Sequence, residues 1–149
     1  MKEQQKSQLE KVKEFHDAFN IYNSLPEDSF ISFDNKGHQF KSRLLRRKLL
    51  WEEFQEYIEA EQKNDFIGIA DALADMNYII NGTALTYGIP LDKVFEEVHA
   101  SNMRKLGPDG KPIRREDGKV IKPEGWRPPA IEDILIAEKS SYDRTHLDV

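Results

Sequence analysis

The sequence contains no cysteine, so disulfides and thiolate metal sites are both excluded. It has no apolar run of the about 18 residues that a membrane span needs. Its beginning does not read as a signal peptide, because Met1–Lys13 is almost entirely polar. Internal repeats and low-complexity tracts are missing as well. What remains is a chain of 149 residues, 33% charged and 38% hydrophobic. That is enough for one ordinary domain with a real core, so residues 1–149 are expected to fold as one soluble unit in a cytoplasm.

The net charge of −5 conceals an uneven distribution. Between Arg104 and Arg127 stand eight Lys or Arg against four acids, a surplus of +4 that leaves the rest of the chain at −9. An acidic body with one basic strap suits a small polyanion bound through a metal. It suits a nucleic-acid duplex poorly, since duplex binders usually carry a domain-wide basic face.

Hydrophobic spacing predicts a first helix over about Gln5–Ser24, with Leu9, Val12, Phe15, Phe19 and Tyr22 on one stripe and Pro26 ending it. Glu27–Gly37 reads as loop, with a short extended piece at Phe30–Phe33. A second helix is expected over about Phe40–Lys63, a break at Asn64-Asp65, and a third helix over about Phe66–Tyr87. Gly88 stops the third helix, and Pro90 starts a fourth that runs to about Lys105. Gly107, Pro108, Gly110 and Pro112 then forbid helix. Ile113–Ile121 places Asp117-Gly118 between two extended arms, a tight-hairpin pattern. Gly125–Pro129 reads as an extended strap in which Trp126 anchors the strap to the bundle. Ile131–Glu138 is a last helix, and the tail from Ser140 is frayed. The expected fold class is all-α, a bundle of four to five helices with a small C-terminal β-hairpin and strap.

The chemistry concentrates on the second and third helices. Leu45 and Leu49 are spaced to face a partner, and the same stripe continues through Glu52, Glu56 and Glu59, with Glu53 beside it. The third helix carries only two charged side chains, Asp71 and Asp75, four residues apart and so on one face. Its other stripe (Ile69, Leu73, Met76, Ile80, Tyr87) is apolar, which predicts burial on most sides. A short connection forces the two helices antiparallel, setting Asp71 and Asp75 at about the heights of Glu59 and Glu53–Glu56. Carboxylates that close do not all ionise without a counter-ion. An all-oxygen set selects Mg²⁺, or Mn²⁺, over zinc. The plainer alternative, a glutamate-rich face turned to water, fits the second helix alone but leaves the two aspartates of the third without a solvated place.

Glu52-Glu53-Phe54-Gln55-Glu56, followed across a short turn by Asp71-Ala72-Leu73-Ala74-Asp75, resembles the MazG-like all-α nucleoside triphosphate pyrophosphohydrolases, the superfamily of dimeric dUTPases and phosphoribosyl-ATP pyrophosphohydrolase. Val98–Leu106, Asp109-Gly110-Lys111, Arg115–Lys119, Lys122-Pro123 and Gly125-Trp126 are similar to a phosphoribosyl-ATP pyrophosphohydrolase-like subgroup with many bacterial and phage members. The resemblance covers about Val12–Ile134. It implies the reaction NTP + H₂O → NMP + diphosphate in the cytoplasm of a bacterial or phage-infected cell, and a homodimer or homotetramer. Glu53, Glu56 and Asp75 match the family's metal ligands, and Glu52 its first glutamate. Where the family has Glu-x-x-Asp, this chain has Ala72 three before Asp75, so Asp71 is the candidate for the missing ligand.

Glu52 or Glu53 is the candidate general base. Asn102 and Lys105 match family residues near the substrate, and Lys119 and Lys122 are candidates to close over the phosphates. Each has a plainer reading: Lys119 as a solvated hairpin residue, Lys105 as a partner of the helix dipole, Asn102 as a cap. His16 is a candidate base contact, its plainer reading a hydrogen-bonded structural histidine. Trp51, Phe54 and Ile58, apolar and opposite the acidic stripe, also point to an oligomer. Three functions are therefore carried forward: pyrophosphohydrolysis of (d)NTPs in nucleotide-pool housekeeping, phosphoribosyl-ATP hydrolysis in histidine synthesis, and a non-catalytic helical oligomer that binds a divalent ion. Nucleic-acid binding is a weak fourth.

Overall fold

The computed structural model describes residues 5–24 and 38–146. Within them lie α1 (Gln8–Ala18), α2 (His38–Gln62), α3 (Phe66–Tyr87), α4 (Leu91–Met103) and α5 (Ile131–His146). Ser7 opens α1 with a capping box: its hydroxyl accepts from the Glu10 amide (3.2 Å) and the Glu10 carboxylate accepts from the Ser7 amide (2.7 Å). The helix ends at Ala18, short of the expected Ser24, because Asn20 adopts the left-handed conformation (φ 53°) that asparagine tolerates at a helix end. The Ile21 amide then donates back to the His16 carbonyl (2.8 Å). Pro26, the Glu27–Gly37 loop and its Phe30–Phe33 piece lie outside the described residues.

The turn between α2 and α3 forms as the sequence predicts. Asn64 is left-handed (φ 53°), and the Asp65 side chain caps α3 by accepting from the Gly68 amide (3.0 Å). Gly88 (φ 66°) closes α3, its amide donating to Ala84 and Leu85 carbonyls. Two glycines fix the register of the pair. A Cβ on Gly68 would lie 3.1 Å from the Ala60 Cβ, and one on Gly82 would lie 2.8 Å from an Arg46 guanidinium nitrogen. Moving from Gly68 to Gly82 along α3 thus moves from Ala60 to Arg46 along α2, so the helices run antiparallel. The midpoints of these two steps, two turns from either end, are Asp75 and Glu53.

This register corrects the expected seam. The α2 face against α3 passes through Arg46, Glu53 and Ala60, one residue round from Leu45, Glu52, Glu56 and Glu59; Leu45, Glu56 and Glu59 are exposed. Nor is α3 buried on most sides within the chain alone. Ala72, Asn81, Gly82, Ala84 and Thr86 are buried, but Leu73 and Ile80 are exposed, and Phe66 and Ile67 are 81% and 82% exposed. On its inner side α1 docks through buried Val12 and His16, with Phe15 edge-on to Tyr78 (5.7 Å between centroids).

The expected β-hairpin is not built as a sheet. Among the described residues there is no strand, only the isolated bridges Leu106–Pro112 and Arg114–Val120. The turn at Gly118 (φ 81°) forms, with the Ile121 amide donating to the Ile113 carbonyl (2.8 Å), but Pro112 and Pro123 interrupt both arms before a ladder can extend. Trp126 does anchor the strap, its indole N–H donating to the Ser101 carbonyl (3.0 Å) on α4. The α5 helix packs on α4 and reaches His146, past the expected end at Glu138 and into the segment expected to fray. No helix among the described residues is long and apolar enough to cross a membrane.

Gly82 sits where any side chain meets the His16 ring (2.9 Å), which its hydrogen bond to Asn23 holds in place. Gly82→Ala is therefore expected to cost about 1–3 kcal/mol by overpacking. Chemical denaturation of the variant against the parent measures it.

Candidate active site

Glu53 is half-buried at the centre of the α2–α3 contact, and its Oε2 is buried without a hydrogen-bond partner. Burial pushes its carboxyl above the ordinary value, and the charges of Glu56, Asp75, Asp71 and Glu52 push it the same way. Four of the five acids singled out in the sequence are thus close enough to act on the fifth. Lys48 pairs with Glu52 (3.4 Å), and no other ion pair reaches the group among the described residues. Ala72, where the resembling family has glutamate, is buried on the same stripe of α3 as Asp75 and Gly82. Asp71 lies one position round the helix, and both it and Asp75 are exposed, so the expectation that these aspartates lack a solvated place does not hold within the chain alone.

Among the described residues, no three of these carboxylates, nor any other His, Asp or Glu, are grouped closely enough to hold a metal ion. The donor set nonetheless fits a hard divalent cation: every donor is oxygen, the charge is uncompensated, and one buried oxygen is unpartnered. Mutual repulsion favours a spread arrangement of such a set.

The cationic candidates lie elsewhere. Lys105 donates to the Asn102 side chain (2.7 Å) at the end of α4. Lys122 stacks on the Trp126 ring (4.0 Å), and the Lys119 amide donates to Asp117 (3.0 Å) inside the Gly118 turn. Among the described residues, none of these four makes a hydrogen bond or ion pair with the acids of α2 and α3.

His16 is 1% exposed and shares a hydrogen with Asn23 Oδ1 (2.6 Å) through Nδ1. Burial holds its pKa below the ordinary value, the Asn23 bond opposes that shift, and Arg46 adds to it. Arg46 itself is 8% exposed. Sequence reasoning passed over it; the available signal was its place seven residues before Glu53, hence on the same helical face.

The described residues form an all-helical chain in which two carboxylate-bearing helices are joined by a capped turn. The phosphoribosyl-ATP pyrophosphohydrolase family model matches residues 12–102, more than half the chain, and the protein belongs to that family, an all-α relative of the MazG-like NTP pyrophosphohydrolases. Membership indicates a pyrophosphohydrolase, a hydrolase of phosphoanhydrides. No curated protein matches the chain. The matched segment holds all five acids and Asn102 and stops before Lys105 and the strap.

His16 makes stability depend on pH. The unfolded imidazole takes up a proton near 6.5, whereas the buried one does so only at lower pH. Stability is therefore full above that value and is lost as pH falls below it, by at most about 1.4 kcal/mol per pH unit. Melting curves between neutral and mildly acid pH should show this slope in the parent and a flatter one in His16→Gln.

Proposed function

We propose that the protein hydrolyses nucleoside triphosphates, (d)NTP + H₂O → (d)NMP + diphosphate, with Mg²⁺ (Mn²⁺ in its place), in nucleotide-pool housekeeping. The observation that carries the reading is the convergence of the charges of Glu56, Asp75, Asp71 and Glu52 on Glu53, one of whose oxygens is buried without a hydrogen-bond partner. Glu53, Glu56, Asp71 and Asp75 are the residues that would hold the metal. Bound there, Mg²⁺ supplies charge neutralisation at the phosphates and acidifies a coordinated water. Glu52, which pairs with Lys48, or Glu53 takes the proton of the attacking water. A new bond forms from that water oxygen to phosphorus, and the anhydride between the first and second phosphates breaks. Asn102, Lys105, Lys119 and Lys122 answer the charge on the departing diphosphate.

The family model's own description supports a second reading, with phosphoribosyl-ATP as substrate. The same acids serve both, because the bond cut is the same. The exposed Phe66, Ile67 and Trp51 support pairing with further copies of the chain as a homodimer or homotetramer. The cytoplasm of a bacterial or phage-infected cell is the expected setting.

Incubation with Mg²⁺ and dUTP, dCTP, dGTP, ATP or phosphoribosyl-ATP, scored for diphosphate, tests the proposal and separates the two substrates. Glu56→Gln is expected to lower turnover at least about a hundredfold, several kcal/mol of lost charge stabilisation, without unfolding. Turnover at the parent rate removes Glu56 from the mechanism, and release of no diphosphate by the parent from any substrate sinks the reading. Ile67→Glu should shift the sedimentation of the protein to that of a smaller species.

A further inference from the structure

The α2–α3 contact holds a second unanswered charge, of opposite sign to the first. Arg46 is buried, its Nε has no acceptor, and its guanidinium forms no hydrogen bond or ion pair among the described residues. Its titratable neighbour is His16, a base kept neutral by burial rather than an acid. The guanidinium and the His16 Nε2 converge on one spot above Gly82, within 2.8 and 2.9 Å of the point where a Cβ would stand. Any other residue there would displace the cation. A lone guanidinium inside a protein is costly to keep and is retained where something anionic meets it.

Its position says what it meets. Arg46 lies on the same face of α2 as Glu53, seven residues and therefore about 10 Å away. That span is comparable to one nucleotide laid along the contact. We infer that Arg46 binds a phosphate of the substrate remote from the phosphorus under attack, the planar guanidinium gripping two oxygens at once. The inference rests on the hydrolase reading above for the identity of the ligand. Two phosphates have this chemistry: the terminal one of a triphosphate chain, and the one on the second ribose of phosphoribosyl-ATP.

Calorimetric binding with Mg²⁺ separates them, using a nucleoside monophosphate, inorganic triphosphate, an α,β-methylene triphosphate and phosphoribosyl-AMP, with Arg46→Met against the parent. Arg46→Met should weaken the ligand carrying the recognised phosphate at least about tenfold, leave the plain monophosphate unchanged, and leave the ligand-free melting temperature equal or higher. Loss confined to the two triphosphates assigns the terminal phosphate; loss confined to phosphoribosyl-AMP assigns the ribose phosphate. Equal affinities for every ligand, or a uniform loss with a lower melting temperature, overturn the inference and make Arg46 structural. Should the Met variant fail to fold, Arg46→Lys decides by the same pattern: a selective loss supports the role, and a uniform loss or none overturns it. Turnover by the parent is scored separately. Arg46-dependent binding without diphosphate release would end the hydrolase reading and keep this one.

Discussion

The close approach of α2 and α3 at two glycines is the constraint on which the rest depends. At Gly68 the Ala60 Cβ, and at Gly82 the Arg46 guanidinium, occupy the space that a side chain on α3 would need. Between these two contacts Glu53 and Asp75 come close enough for their charges to act on one another. The left-handed Asn64 and the Asp65 cap close the hairpin tightly enough to enforce the same alignment from its end. A site made of mutually repelling side chains needs such a rigid frame, because its own interactions push the frame apart.

Much of this was legible in the sequence because helices announce themselves by period and by punctuation. Asn64-Asp65, Gly88 and Pro90 each mark a boundary where the structure has one: Asn64 and Gly88 by a left-handed backbone, Asp65 by capping α3 with its side chain, and Pro90 by standing at the start of α4. The five acids were legible for a different reason: charge is so scarce on α3 that Asp71 and Asp75 stood out. What failed was rotation. The alternation of Leu45, Leu49 and the glutamates suggested a face one residue away from the true one, since exposed Leu45 imitates a core residue. Periodicity gives the width of an apolar stripe, not which neighbour covers it. That error hid Arg46, whose burial nothing in its own stretch of charged residues announces. Asn20 ending α1 and the broken ladder after Pro112 were lost similarly, to local backbone choices that tertiary contacts decide.

The basic strap and the acidic helices form two regions of opposite charge in one chain, joined by α4. Trp126 and the Ser101 carbonyl couple the strap to α4, and Glu97 accepts from the Ala130 amide (3.1 Å) to hold the start of α5. The family model ends at residue 102, just where this second region begins. The matched segment thus takes in both carboxylate helices, and the strap lies beyond it.

The brevity of the turn at Asn64-Asp65 has a kinetic corollary. Closing so small a loop costs little chain entropy, so helices adjacent in sequence pair sooner than segments brought from afar. The α2–α3 hairpin is then the natural nucleus, and α1 with the segment after it, whose Ser24 is tied to Thr86 and Leu85 across more than sixty residues, docks afterwards. Electrostatic strain at the carboxylates consequently enters at the first tertiary step.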